Sequence, residues 1–309
     1  MQDLQLTIET NLKDLQPNAW FGALDDLFED HGFFEQLGAK HFAGFLEAGN
    51  KLLVTFENAV SVREDTPTAE PRGFSYARHD GWSHLALLSE GESWFRDKPV
   101  YDFFDRLTDE GFFDDFEQVV FHGANGGAYA AAAFSIVAPG ATVVALRPQA
   151  TLDAEIAGWD TRYRDQRIHD FSDRYGYAPD MAESANDVFI AYDPTRPFDA
   201  MHAALFNTPN VTRLPCPLQG EHLDQAFDRL GIHDVLLKLV MDQSLDKKRF
   251  VQLLRARRYD QTYAKSLVAH LVQTGHPGLA KVICNYMLQR GENKYFAQAL
   301  ARLNEQIAA

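Results

Sequence analysis

The sequence has only two cysteines, no long apolar run and a shortage of basic side chains. Cys216 and Cys284 lie far apart and lack the spacing of a metal site, which argues against a disulfide and favours a reducing compartment. No run of about 18 apolar residues predicts a membrane span. Residues 1–4 lack the basic start and apolar segment of a signal peptide. These absences favour a cytoplasmic protein with no membrane span.

Sequence motifs that bind cofactors are missing as well. There is no Walker phosphate loop, and Gly123, Gly126 and Gly127 have the wrong spacing for a dinucleotide-binding turn. No group of three or four metal-ligating residues occurs at a typical spacing. We therefore expect neither an organic cofactor nor a metal.

The shortage of basic residues is uneven along the chain. The 309 residues carry a net charge of −15, but residues 245–309 contain 11 Lys and Arg against 4 Asp and Glu. These basic residues are interleaved with apolar positions at helical spacing and do not form one run. We therefore expect no nucleic acid partner. The basic segment is more consistent with docking on the chain's own acidic part or on a second subunit.

The clearest motif is a strand, a glycine-rich turn and an alanine-rich helix. Residues 119–121 are β-branched or aromatic and are followed by His122, and residues 130–135 are nearly all small. The turn between them reads Gly123-Ala124-Asn125-Gly126-Gly127. Its glycine spacing is that of the G-x-S-x-G nucleophile elbow, with Asn125 where serine is expected.

Further strands are predicted before and after this turn, separated by helical stretches. The strand-like runs are 41–46, 52–56, 84–88, 141–146, 187–192 and 211–216. This rhythm indicates parallel βαβ units, and hence an α/β fold with a mostly parallel sheet covered by helices on both faces. Residues 63–80 are rich in Pro, Thr, Glu and Arg and are predicted to be an exposed loop.

The residues after the last two strands extend the comparison with the nucleophile elbow. In hydrolases with this elbow, an acid and then a histidine follow the nucleophile along the chain. Asp193 follows the penultimate strand and His222 follows the last one, with Asp199 as a competing acid. Together with Asn125, Asp193 and His222 are the candidate catalytic residues.

A second set of candidates would bind a ligand or form an oxyanion hole. Glu57 and Asn58 lie in the loop expected to supply one backbone N–H, and Gly126 would supply the other. His122 and Asp199 are further candidates for ligand contact. A histidine at the end of a strand is also often a structural residue with satisfied hydrogen bonds.

Several of these segments resemble a known group of proteins. The strand 52–56, the turn 126–129, Arg147-Pro148-Gln149 and Asp199-x-x-His202-Ala203 resemble divergent α/β-hydrolase-like proteins associated with bacterial surface-polysaccharide and glycoprotein export. The resemblance covers roughly residues 40–235. It implies a hydrolase fold in which Asp193 and His222 carry over, although the family has Ser where this chain has Asn125.

Three explanations of Asn125 stay open. The chain is a natural pseudo-hydrolase that binds a ligand, or an enzyme in which Asp193 and His222 activate a water, or it carries a substitution of an original Ser. A carboxamide is a poor nucleophile, so direct acyl-enzyme chemistry is nearly excluded. Asn125-Gly126 is also the dipeptide most susceptible to deamidation, which would create an aspartate, a known class of nucleophile.

The end of the chain is predicted to be helical. Apolar residues recur at helical spacing from Phe250 onward, with breaks at 275–278 and at Gly291. These helices resemble tetratricopeptide-like hairpins, which usually mediate protein contact or self-association. We expect an N-terminal helical segment at 1–40, an α/β-hydrolase-like domain at 41–235 and a basic helical segment at 236–309.

The sequence therefore favours an atypical or inactive relative of these hydrolases. It would bind a glycan or acyl ligand in bacterial cell-envelope polysaccharide metabolism. One alternative is a carbohydrate esterase or acyltransferase that uses Asp193 and His222 with a non-serine elbow. The other is a protein-interaction scaffold that acts through its C-terminal helices.

Overall fold

The computed structural model describes residues 11–308, with side chains to residue 305, and is organised around one eight-stranded sheet. Residues 1–10 of the predicted N-terminal segment lie outside this range. The prediction of no signal peptide depends on residues 1–4, so it also concerns residues outside the described range. The strands are β1 (Gly32–Leu37), β2 (His41–Leu46), β3 (Lys51–Asn58), β4 (Ser83–Ser89), β5 (Gln118–Ala124), β6 (Thr142–Leu146), β7 (Asp187–Tyr192) and β8 (Val211–Pro215).

The described residues also form fourteen α-helices. They are α1 (Pro17–Glu29), α2 (Ala59–Asp65), α3 (Gly73–Asp80), α4 (Lys98–Asp109), α5 (Gly126–Phe134), α6 (Ala154–Ala157), α7 (Ala178–Met181), α8 (Pro197–Leu205), α9 (Leu223–Arg229), α10 (His233–Met241), α11 (Lys247–Leu254), α12 (Gln261–Gln273), α13 (Pro277–Leu288) and α14 (Lys294–Ala308).

The strand order is β1-β2-β4-β3-β5-β6-β7-β8. β2 runs antiparallel to β1 and to β4, and every pairing from β4 to β8 is parallel. Parallel strands need both faces covered. On one face α4 and α5 pack over the sheet, and on the other α9, α10 and α11 do so. The predicted fold class is confirmed.

Two local predictions fail. No strand was predicted at β1, which follows α1 directly and pairs with β2 at the antiparallel edge of the sheet. The prediction of an exposed loop over residues 63–80 is wrong in its second half. There, α3 buries Phe74 and Tyr76. Tertiary packing of these two aromatic side chains outweighs the polar local composition.

The C-terminal helices divide into two groups. The α10 and α11 helices contribute Leu236, Leu237 and Phe250 to the core beneath the sheet. In contrast, α12, α13 and α14 bury a small core of their own, which includes Val268, Cys284 and others. The predicted segment 236–309 therefore contains helices that pack on the sheet and helices that form a separate small core. Among residues 11–308, no helix combines the length and the apolar character that crossing a bilayer requires.

Candidate functional site

The turn between β5 and α5 has the conformation of a nucleophile elbow. Asn125 has φ 54° and ψ −120°, a region that non-glycine residues rarely adopt. A Cβ atom on Gly123 would collide with the carbonyl of Gly127, and a Cβ atom on Gly127 would collide with the carbonyl of Phe56. Close backbone packing thus requires both outer glycines of the motif, and the turn presents Asn125 at the carboxyl edge of the sheet.

The sheet order and this elbow decide the fold. The chain has an α/β-hydrolase-like fold. It is a divergent example because Asn125 occupies the place of the nucleophilic serine.

The side chain of Asn125 is held by Arg147, which follows β6. Arg147 is 5% exposed and also has a positive φ, of 59°. Its Nη1 donates to Oδ1 of Asn125 over 2.7 Å and to the carbonyl of Glu221 over 3.2 Å. Its Nε donates to Asp199 over 2.9 Å, and its Nη2 donates to the hydroxyl of Tyr163 over 3.1 Å. These four hydrogen bonds hold the guanidinium in place, and the one from Nη1 orients the amide of Asn125.

Arg147 belongs to a buried ionic network that contains two nearly inaccessible carboxylates. Asp199 accepts from both Arg147 and Arg162, and Arg162 also donates to Asp160. His202 accepts the Ala150 amide at Nδ1, so its Nε2 donates to Asp160 over 3.0 Å. Burial opposes the ionised form of Asp160, but hydrogen bonds from His202 and Arg162 outweigh it and lower the pKa of this carboxyl.

Asp193 and His222, the candidate acid and base, do not share a hydrogen bond in the described part of the chain. The carboxylate of Asp193 is 1% exposed. It accepts the amide and hydroxyl of Thr195 and the amides of Leu218 and Gly220, at 2.7 to 3.1 Å. Asp193 thus holds the loop that carries His222, whose own side chain is exposed at the start of α9. Their catalytic roles stay predictions.

A cavity of about 250 Å³ lies at the elbow. Six of the eight predicted site residues line it: Glu57, Asn58, His122, Asn125, Gly126 and His222. Asp193 and Asp199 do not belong to its lining, because both are buried in the contacts described above. A larger cavity of about 790 Å³ adjoins it and shares Arg72, Asp228 and His233 with it, among other residues.

The boundary between the two cavities is a polar network that the sequence analysis did not identify. The carboxylate of Glu57 accepts the Thr55 hydroxyl over 2.7 Å and the backbone amide of Arg72 over 3.2 Å. Burial raises the pKa of Glu57 despite these bonds. The guanidinium of Arg72 binds Asp228 through two parallel hydrogen bonds of 2.7 and 3.1 Å.

A chain of two histidines continues this network beneath the elbow. His122 Nδ1 faces the carbonyl of Val144 at 2.9 Å and must donate to it, so its Nε2 accepts from His233 Nε2 over 2.9 Å. Nδ1 of His233 lies 2.8 Å from Asp228. Since Nε2 of His233 already donates to His122, Nδ1 of a neutral His233 and the carboxylate of Asp228 would both be acceptors. Their hydrogen bond therefore requires one further proton, shared between Nδ1 and the carboxylate. Burial and the neighbouring His233 hold the pKa of His122 well below its usual value.

The residues that the sequence analysis missed share one property. Arg72 precedes α3, Arg147 follows β6, and Asp228 and His233 lie in α9 and α10 after β8, so these residues approach the elbow only because the parallel sheet brings its carboxyl ends together. Arg147 was noted only as part of a family-like segment. Its positive φ, which directs the side chain to the elbow, leaves no local sequence signal.

No protein-family model matches the sequence, and no curated protein matches it. Several solved structures are similar in fold. The capsule O-acetyltransferase of Neisseria meningitidis serogroup A is 11% identical over 68% of this chain and 94% of its own, with a TM-score of 0.44. The Gap123 glycosylation-associated protein complex of Streptococcus agalactiae is 13% identical over 68% of this chain and 46% of that one, with a TM-score of 0.44. Est1E of Butyrivibrio proteoclasticus is 12% identical over 68% and 99%, with a TM-score of 0.42.

Proposed function

We propose that this protein is an atypical α/β-hydrolase-like protein that binds a glycan segment at the elbow without forming an acyl-enzyme. The hydrogen bond between Arg147 and Asn125 is the observation that carries the proposal. A neutral amide whose oxygen is bound to a buried guanidinium cannot act as the nucleophile of acyl transfer. Following the family resemblance, we place this binding in bacterial cell-envelope polysaccharide metabolism, in the cytoplasm.

The other two members of the expected triad support the same proposal. The oxygens of Asp193 accept four donors from the surrounding loops. An acid that orients a catalytic histidine instead accepts that histidine's Nδ1–H. Within the described residues Asp193 therefore does not fix the tautomer of His222, although His222 lines the same cavity as Asn125.

The lining of the elbow cavity favours a polyhydroxylated ligand over an anionic one. Its charged side chains are the carboxylates of Glu57, Asp65, Glu92, Asp224 and Asp228 and one guanidinium, that of Arg72. Carboxylates accept hydrogen bonds from sugar hydroxyls, and they repel phosphates and other anions. The adjoining larger cavity gives a longer chain room to extend past Arg72.

Two measurements on the full chain test this proposal. We expect neutral oligosaccharides to bind in calorimetry, and the charge-neutral variant Asp224→Asn to weaken that binding. Ser244→Ala, outside both cavities, is the matched control. We also expect no turnover of short acyl esters by the chain as it stands. Ester turnover that disappears in His222→Ala would contradict the proposal and favour the alternative, a carbohydrate esterase or acyltransferase.

A scaffold function is the second candidate, and a separate feature favours it. The outer face of α13 exposes Leu279, Val282 and Tyr286, which lie on one side of the helix at spacings of three and four. Exposed apolar stripes of this kind occur at protein contacts. The partner would be a protein or a second copy, and weakened association on changing this stripe, with no glycan binding, would support the scaffold.

A further inference from the structure

Asn125-Gly126 is the only Asn-Gly dipeptide of the chain, and it lies at the elbow. Deamidation begins when the backbone nitrogen of the next residue attacks the side-chain carbonyl carbon of Asn, closing a five-membered succinimide ring. Glycine offers the least steric hindrance to this attack because it has no side chain. In most folded segments the reaction is slow because the backbone does not allow the ring to close.

The elbow supplies the backbone conformation that ring closure needs. The ring contains the Cα–C bond, so Cβ and the next nitrogen must be nearly eclipsed about that bond. For an L-residue this places ψ at about −120°, outside the helical and extended regions that ordinary residues occupy. Asn125 has ψ −120°. The strained turn therefore already holds the one backbone torsion that the ring constrains.

The surroundings also activate both reacting atoms. Nη1 of Arg147 donates to Oδ1 of Asn125 over 2.7 Å, so a positive charge faces the oxygen on which negative charge develops during the attack. The attacking nitrogen belongs to Gly126, the first residue of α5, where the helix dipole favours loss of the amide proton. Asn125 is half-buried and lines the elbow cavity, so water reaches the product ring.

We propose that Asn125 is a self-modification site whose deamidation the folded elbow promotes. The nitrogen of Gly126 loses its proton and forms a bond to Cγ of Asn125, the Cγ–Nδ2 bond breaks, and the amide nitrogen leaves as ammonia with that proton. One water then opens the succinimide and restores a carboxylate, as aspartate or isoaspartate. No oxidant, metal or other reactant takes part.

The product changes the charge of the site. A carboxylate at position 125 faces the guanidinium of Arg147 and adds a sixth negative charge to the cavity lining. Aspartate keeps the chain length of the elbow, whereas isoaspartate inserts a methylene into the backbone and breaks the close contact between Gly127 and Phe56. This inference does not depend on the proposed glycan ligand.

The test compares the folded chain with the same chain in denaturant during incubation at about pH 7.5 in ¹⁸O-water, followed by peptide mapping. We expect residue 125 to gain about 3 Da, from deamidation with one ¹⁸O, at least about ten times faster when folded. Asn18 and Asn207 serve as internal controls in the same digests. Asn125→Gln, which keeps the amide but needs a larger ring, is expected to stay unmodified.

Arg147→Met separates activation from backbone geometry. We expect it to slow the folded reaction several-fold while the rate in denaturant stays the same. The proposal is overturned if Asn125 is modified no faster in the folded chain than in the denatured chain, because the elbow would then contribute nothing. That result does not bear on whether the cavity binds an oligosaccharide.

Discussion

Replacing Arg147 by methionine should destabilise the protein strongly, although the residue lies in a connection after β6. The change removes the guanidinium and keeps most of the apolar volume of the side chain. It leaves Asp199, which is 2% exposed, without the donor at 2.9 Å, and it leaves Oδ1 of Asn125 without its partner. The carbonyl of Glu221 and the hydroxyl of Tyr163 lose weaker bonds.

The magnitude follows from what remains around Asp199. Removing one partner of a buried ion pair costs about 3 to 5 kcal/mol, because the other charge stays buried. Arg162 still donates to Asp199, and Arg196 lies 3.5 Å from it. These two cations retain part of the compensation, so we expect a loss of about 3 kcal/mol in the free energy of unfolding, at the lower end of that range.

The assay is urea unfolding followed by tryptophan fluorescence, and Arg196→Met is the matched control. Arg196 is about one-third exposed and lies near the same carboxylate, so its loss should cost less than about 1 kcal/mol. The midpoint should shift with an unchanged slope if the native state keeps its compactness. If Arg147→Met costs no more than Arg196→Met, the argument that Arg147 closes a buried network is refuted.

Two further predictions concern a buried histidine and the exposed stripe of α13. Burial lowers the pKa of His84 to about 3, so the unfolded chain takes up a proton that the native chain refuses as pH falls below about 6.5. This should cost about 3 kcal/mol of stability at pH 4, and His84→Gln should flatten that pH dependence. Leu279→Ser with Val282→Ser should change the free energy of unfolding by less than about 0.5 kcal/mol each, because the side chains are 56% and 61% exposed, and should reduce association in sedimentation velocity. A pH profile unchanged by His84→Gln, or a stability loss above about 1 kcal/mol from the α13 pair, would contradict these expectations.

The elbow could be predicted from sequence because its determinants are local. Residues 119–127 contain the strand, the two glycines required by close packing and the start of the helix. Strand positions after the elbow were equally clear, since short β-branched runs alternate with helical stretches. By contrast, α3 was missed because its buried Phe74 and Tyr76 lie among charged residues that suggest a loop.

The interior of the site could not be predicted for a different reason. Sequence order places Asp193 and His222 at the same edge of the sheet, but it does not show which donors each carboxylate accepts. Asp193 turns out to bind the amides of its own and the neighbouring loop. Likewise, His122 and His233 are 111 residues apart, and only the packing of α10 against β5 brings their rings together.

The elbow also shows that backbone strain and catalytic chemistry are separable in this fold. A non-glycine residue at φ 54° costs on the order of 1 to 3 kcal/mol, and such strain persists only where the surroundings enforce it. Here they do. Gly123 packs against Gly127, Gly127 packs against Phe56, and the amide of Asn125 donates to the carbonyl of Leu146 over 2.9 Å. None of these contacts involves the side chain of residue 125, so the turn keeps its conformation whether that residue is a serine, an asparagine or an aspartate.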